Sequence, residues 1–366
     1  MSAGPTAGAN TASPTDDVVF ERRGHLGVVT LNRPKAVNAL TFGMAAAMLE
    51  RLAAWADDDG VATVLVHGAG DRGLCAGGDI VAIYEDMLTG GDSTADFWRT
   101  EYQLNALIAG YPKPYVAFMD GLVLGGGVGI SAHGSVRVVT ERTRTGMPET
   151  TIGFVPDVGG TLLLSRSPGE AGTHAALTGA HLSGADALFL GLADHFVPSG
   201  NLAALAAALE SETAEAAVGR FSEKPPASAL GGQRHWIDAC YQGDDAEEIL
   251  RRLRAFDGGA SGEAADAAST IEAKSPTAVK VALESLRRAK DLTLEEALEQ
   301  EYRVGLRFLA GPDFREGIRA QVVDKDRNPQ WKPATLHEVS AADVGRFFEP
   351  LGERELNLQP KEARNV

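Results

Sequence analysis

Two carboxylates stand eight residues apart in the middle of the chain, Glu149 in Met147-Pro148-Glu149-Thr150 and Asp157 in Gly153-Phe154-Val155-Pro156-Asp157-Val158-Gly159-Gly160. The intervening Gly and Pro are turn formers, so both acids can face one cleft. Met147, Ile152, Phe154 and Val155 beside them are apolar, and a carboxylate in such surroundings loses hydration when it ionises. Its pKa then rises toward the range in which general acid–base or nucleophilic work proceeds at neutral pH. Each acid also has a plainer reading: Glu149 as a charge in the first helical turn after Pro148, Asp157 as a turn residue.

Two glycine-rich turns precede the pair. Cys75-Ala76-Gly77-Gly78-Asp79 follows a β-rich run and leads into Ile80-Val81-Ala82-Ile83, and Gly125-Gly126-Gly127-Val128-Gly129 leads into Ile130-Ser131-Ala132. Backbone without side chains beside a helix start exposes N–H groups that can approach a ligand oxygen closely. Two such turns can together form an oxyanion hole; taken singly, each is equally a tight turn with no ligand. Gly127-Val128-Gly129-Ile130-Ser131-Ala132 also fits the dinucleotide fingerprint, with Glu141 at the end of the next β-run as its ribose acid. That rival, a nicotinamide or flavin oxidoreductase, is weakened by the irregular glycines before the motif.

The elements that must hold these turns read as α/β from Phe20 to about Pro198, with strands at Val28–Leu31, Val61–His67, Tyr115–Met119 and Val136–Thr140. A helical pattern runs from Thr41 through Trp55, and another from Ser93 to Ala109. Beyond Pro198 come an Ala-rich helix from Leu202 to Ala217, a Pro225-Pro226 break and mainly helical periodicity. The division expected is a disordered tail over 1–16, a core over 17–200 and a helical C-terminal region over 201–366. His133, His174 and His195 have no motif partner and read as structural.

With 366 residues, 44% hydrophobic and 23% charged, the chain has the make-up of a globular enzyme with a large core. Its two cysteines, Cys75 and Cys240, are too few for a disulfide framework, which points to a reducing, cytoplasmic setting. No apolar run approaches the roughly 18 to 20 residues of a membrane span. The first 16 residues carry no basic side chain, so no signal or transit peptide is expected. A net charge of −16 opposes nucleic acid and anionic membrane as partners. It leaves room for a small phosphorylated ligand near Arg22, Arg23, Arg33, Lys35 and Arg72.

Taken together, the motifs resemble the crotonase superfamily. Leu31-Asn32-Arg33-Pro34-Lys35-Ala36-Val37-Asn38-Ala39-Leu40 is similar to the family's CoA-contacting segment, and Gly78 and Gly126 match its two oxyanion positions. The family's hydratases use two glutamates, one at the position of Glu149 and one where this chain has Gly129. The 3-hydroxyisobutyryl-CoA hydrolase branch instead carries the Gly-Gly-Gly-Val-Gly, Met-Pro-Glu-Thr and Pro-Asp-Val-Gly-Gly runs found here, and a Glu-Tyr pair matched by Glu101-Tyr102. The stretches from Asp313 to Ala320 and from Asp324 to Pro333, and the extra helical segment near 221–268, also suit that branch.

The resemblance implies an α/β fold of repeated ββα units wound into a spiral, followed by a helical C-terminal region. It implies hydrolysis of a short 3-hydroxyacyl-CoA, with coenzyme A as part of the substrate and no further cofactor or metal. Gly78 and Gly126 would bind the thioester oxygen, Glu149 would attack the carbonyl or activate water, and Asp157 would assist water or the leaving thiolate. Glu101 would hold the 3-hydroxyl, with Arg33, Lys35, Ala36, Ala76 and Asp79 as further substrate contacts. A lyase, isomerase or hydratase, or an acyl-CoA-binding protein with reduced catalysis, stays open, as does a homo-oligomer.

Overall fold

The computed structural model describes residues 16–358. Among these residues ten strands form two sheets. β1 (Val18–Arg23), β2 (Leu26–Leu31), β3 (Thr63–Gly68), β5 (Tyr115–Met119), β7 (Val136–Val139) and β10 (His195–Phe196) lie in that order in the larger sheet, parallel except for β1 against β2. The smaller sheet is β4 (Gly73–Cys75), β6 (Leu122–Leu124), β8 (Arg144–Gly146) and β9 (Leu182–Ser183). Each of β3-β4, β5-β6 and β7-β8 puts its first strand in the large sheet and its second in the small one before a helical turn follows. This is the expected spiral of ββα units.

Period-two alternation explains how the large sheet is covered on both faces. Val29, Leu31, Val64, Val66, Ala117, Met119 and Val139 point into the main core, while Leu26, Val28, Leu65, Val116, Phe118 and Val138 meet a second, smaller core. The second core is closed by Leu205, Leu209, Ala217 and Val218. These come from two helices, Leu202–Leu209 and Ala214–Phe221, and not from the single helix expected over Leu202–Ala217. The Thr213 hydroxyl accepts from Ala216 N–H and starts the second helix, a cap that outweighs the alanine propensity around it.

On the main-core side, the Thr41 hydroxyl caps the helix Phe42–Ala56, which buries Met44, Met48, Leu52 and Trp55. The helix Ser93–Ala109 buries Thr94, Trp98, Glu101, Tyr102, Asn105 and Ile108, so four polar side chains share its inward stripe. After Phe196 every described element is helical. The helices Pro276–Ala289, Leu294–Ala310 and Pro312–Ile318 join the same core, and the last lies against the turn Glu149–Ile152. Phe314 from that helix stacks on Phe154 at 4.5 Å between ring centres, and Phe154 stacks on Trp98 at 5.2 Å. The expected tail over 1–16 lies outside the described residues except for Asp16, whose carbonyl accepts from Asn32 Nδ2 at 2.9 Å.

Candidate active site

The four-residue helical turn Gly126–Gly129 begins where β6 ends, and Gly125 just before it has φ 49° and ψ −117°, a conformation that excludes side chains. Close approach makes the same demand at Gly126, where a Cβ would stand 2.5 Å from Glu101 Oε1 and 3.5 Å from Gly78 N. The two glycine turns therefore meet. Leu40 stitches the first in place, donating to Gly77 O at 2.8 Å and accepting from Asp79 N–H at 2.8 Å. The N–H groups of Gly78 and Gly126 meet no acceptor among the described residues.

Both turns open on a cavity of about 270 Å³ that also takes in Ala76, Glu101, Glu149, Asp157 and Phe314. A larger cavity of about 400 Å³ lies on the other side of the large sheet, between Leu65, Phe118 and the helix Leu202–Leu209. Of the residues singled out from sequence only Arg23 lines it, and none of the acids or oxyanion glycines does, so the smaller cavity is the candidate site.

Glu101 and Glu149 are 2% and 8% exposed, and Glu101 Oε1 and Glu149 Oε2 have no hydrogen-bond partner among the described residues. A Cβ on Gly125 would stand 2.6 Å from Glu149 Oε1, so this carboxylate reaches the second turn directly. Buried polar atoms without partners are costly, and both of these residues line the cavity. Asp157 is better held: the Tyr102 hydroxyl donates to its Oδ2 at 2.8 Å. Burial, and then the charge of Asp157, pushes Glu149 well above the ordinary carboxylate range. Glu101 rises for the same two reasons, and burial lifts Asp157 to about 7. Like charges this close do not all ionise together at neutral pH, so the acids titrate as a group.

Cys75 is no rival nucleophile, since burial pushes its thiol up to about 12. Burial holds His133 down at about 4, and its Nε2–H donates to Val158 O at 2.7 Å, a structural role. The dinucleotide reading loses its acid, because Glu141 accepts from Ser199 N–H and hydroxyl.

Arg33, Lys35, Ala36 and Asp79 lie outside the cavity wall. Arg33 pairs with Asp79 at 2.9 Å and donates to Ala39 O at 2.6 Å, and Asp79 caps the helix Ile80–Thr89. These two tie the Arg33–Leu40 segment to the first glycine turn. Lys35 and Ala36 are exposed on that segment, which adjoins the cavity where Ala76 N–H donates to Val37 O at 2.9 Å. Tyr102 and the aromatic wall of Trp98, Phe154 and Phe314 had been given no role; the motif pairs Glu101-Tyr102 and Asp313-Phe314 contained the signal.

The acids also tax the fold. Asp157 carries a folded-state value of about 7 against about 3.9 for an unfolded chain, so the folded form binds its proton more tightly. That stabilisation is fully present below pH ~4 and is lost as pH rises to ~7. Asp157→Asn keeps an acceptor for Tyr102 and removes the charge. Its Tm should exceed the parent's at pH 8 by a few degrees and match it near pH 4. Thermal scans at both pH values check this, and equal gaps at the two would contradict it.

Comparison with known proteins agrees with this geometry. The enoyl-CoA hydratase/isomerase family profile matches residues 26–348. The 3-hydroxyisobutyryl-CoA hydrolase, mitochondrial, of Rattus norvegicus is 42% identical over 94% of this chain and 91% of its own length. The Homo sapiens protein of that name is 39% identical over 94% and 91%. Among solved structures, a carnitinyl-CoA dehydratase from Mycobacterium thermoresistibile is 54% identical with TM-score 0.89, covering 93% of this chain and 98% of that one. An enoyl-CoA hydratase from Rhodobacter sphaeroides 2.4.1 is 39% identical with TM-score 0.88, covering 94% and 100%. A spiral of ββα units whose glycine turns meet over buried acids, matched across nearly the whole chain, makes this an acyl-CoA enzyme of the enoyl-CoA hydratase/isomerase, or crotonase, family.

Proposed function

We propose that the chain hydrolyses the thioester of a short 3-hydroxyacyl-CoA, 3-hydroxyisobutyryl-CoA above all, to the free acid and CoA. The observation that carries this is Glu149, with its Oε2 unpartnered, beside the Gly78 and Gly126 N–H groups, which meet no acceptor among the described residues. A thioester oxygen set between Gly78 and Gly126 N–H gains charge as the carbonyl becomes tetrahedral, and each such donor is typically worth about 3 kcal/mol to that step. Ionised Glu149 attacks the carbonyl or takes a proton from water, and Asp157, oriented by Tyr102, serves the water or the departing thiolate. Glu101, with one free oxygen beside Gly126, receives the 3-hydroxyl.

Two free buried cysteines suit a reducing compartment, the cytoplasm in our reading; the Rattus norvegicus and Homo sapiens hydrolases named above are mitochondrial proteins by name. No helix among the described residues is long and apolar enough to cross a membrane.

Acyl-CoA substrates test the assignment of Glu101. Glu101→Gln should weaken use of 3-hydroxyisobutyryl-CoA and 3-hydroxypropionyl-CoA by about tenfold or more in kcat/KM while sparing isobutyryl-CoA, since a buried polar contact to a hydroxyl is commonly worth 1 to 3 kcal/mol. Equal losses on all three thioesters would remove Glu101 from the hydroxyl.

A second reading has its own support. The cavity holds two glutamates, and the 54% identical structure is described as a dehydratase. Against it stands Gly129, where a Cβ would meet Val158 Cβ at 2.7 Å and Asn105 Nδ2 at 2.9 Å, so the hydratase glutamate has no room. Crotonyl-CoA hydration distinguishes the two: a rate comparable to thioester hydrolysis would favour the hydratase.

A further inference from the structure

We propose that Glu301, on the C-terminal helix Leu294–Ala310, is a positioning residue for Asp157, clamping the turn that presents this acid to the cavity. The proposal rests on the role given to Asp157 above.

Glu301 is only 1% exposed and shares its helix's buried stripe with Leu298, Tyr302 and Gly305. A carboxylate there is costly unless donors converge on it. They do: its Oε2 accepts from Gly159 N–H at 2.6 Å, and its Oε1 from Thr161 N–H at 3.0 Å and from the Thr161 hydroxyl at 2.5 Å. The clamped turn closes where Asp157 O accepts from Gly160 N–H at 2.7 Å. Within it Val158 has φ 53° and Gly159 φ 79°. Left-handed backbone is strained for a β-branched residue and persists only when its surroundings hold it. His133 holds one side through Val158 O, and Glu301 holds the other through the two N–H groups that follow. The clamp thus reaches from the helix Leu294–Ala310 to the acid-bearing turn.

Glu301 is not among the residues that line the cavity, so it acts through the turn. The ionisable groups around it are Asp157, Glu149, Tyr102 and, across the turn, His133. Burial lifts Glu301 itself to about 8, and its charge contributes to raising Glu149.

The test is a mutant cycle of Glu301 and Asp157 in the full chain, read by thiol release. Glu301→Ala should lower kcat by about tenfold or more with KM changed less than about threefold, because misplacing a reacting group by about 1 Å costs on this scale or above. Glu301→Gln keeps one acceptor oxygen and should recover part of the loss. In an Asp157→Asn background either change should add less than about threefold, since residues acting through one another are non-additive. Folded Glu301 variants with parental kcat, or losses that multiply in full with that of Asp157→Asn, would overturn the proposal. If Glu301→Ala does not fold, Glu301→Gln carries the same comparison. An Asp157→Asn single variant at the parental rate would instead refute the role of Asp157, a failure distinct from that of the clamp.

Discussion

Glu149→Gln should cut the rate of thiol release at least about a hundredfold, because positioned acid–base or nucleophilic catalysis contributes roughly 10² to 10⁴. Glutamine fills the same volume, and the carboxylate it replaces leaves Oε2 unpartnered, so no structural hydrogen bond is lost at that oxygen. Substrate binding should change little, and the fold should be no less stable at pH 8. The parent's kcat/KM should rise with pH over a range well above that of an ordinary carboxylate, since burial and then Asp157 hold the Glu149 carboxyl up and the ionised form is the reactive one. Asp157→Asn removes the second of those causes, so the residual activity should show its rising limb at lower pH. A folded Glu149→Gln enzyme working at the parental rate would leave Glu149 a packing or binding residue.

Gly126→Pro should be as damaging, for a different reason. It removes an N–H at the first position of the helical turn, where proline's own backbone is tolerated. Its ring also enters the space beside Glu101 Oε1, which a Cβ at Gly126 would approach to 2.5 Å. Gly126→Ala brings the same Cβ while keeping the donor, and so measures the steric part alone. Proline should fall below alanine by about 10² to 10³ in kcat, the loss seen when one oxyanion donor is removed. Equal rates for the two would mean that the Gly126 N–H does not stabilise the developing charge.

Local chemistry made much of this legible in the sequence. Thr41 marked the start of its helix, the strand ends carried glycines, and Glu149 and Asp157 were separated by turn formers that bring them to one cavity. What escaped depended on tertiary context. β1 follows Val18-Val19-Phe20 with Glu21, Arg22 and Arg23 and pairs along its backbone as an edge strand, so its apolar signature is only half the strand long. Arg33 and Asp79 each looked like a ligand contact, yet they are partners of one another across 46 residues of chain. Glu301 is one of several charges on its helix and belongs to none of the motifs. Its signal was the spacing Leu298, Glu301, Tyr302, Gly305, which places an acid on the apolar stripe, but the donors that satisfy it lie 140 and 142 residues away. No local pattern reports a partner at that distance.

The central claim is that the bond broken is the thioester's and not a carbon–oxygen bond of the acyl chain. The most direct measurement follows free thiol and enoyl absorbance together in one reaction of the purified chain with (S)-3-hydroxyisobutyryl-CoA. Hydrolysis requires one thiol per substrate consumed, with no enoyl absorbance at any time. Enoyl absorbance rising as the substrate is consumed, without thiol, would show dehydration and contradict the assignment.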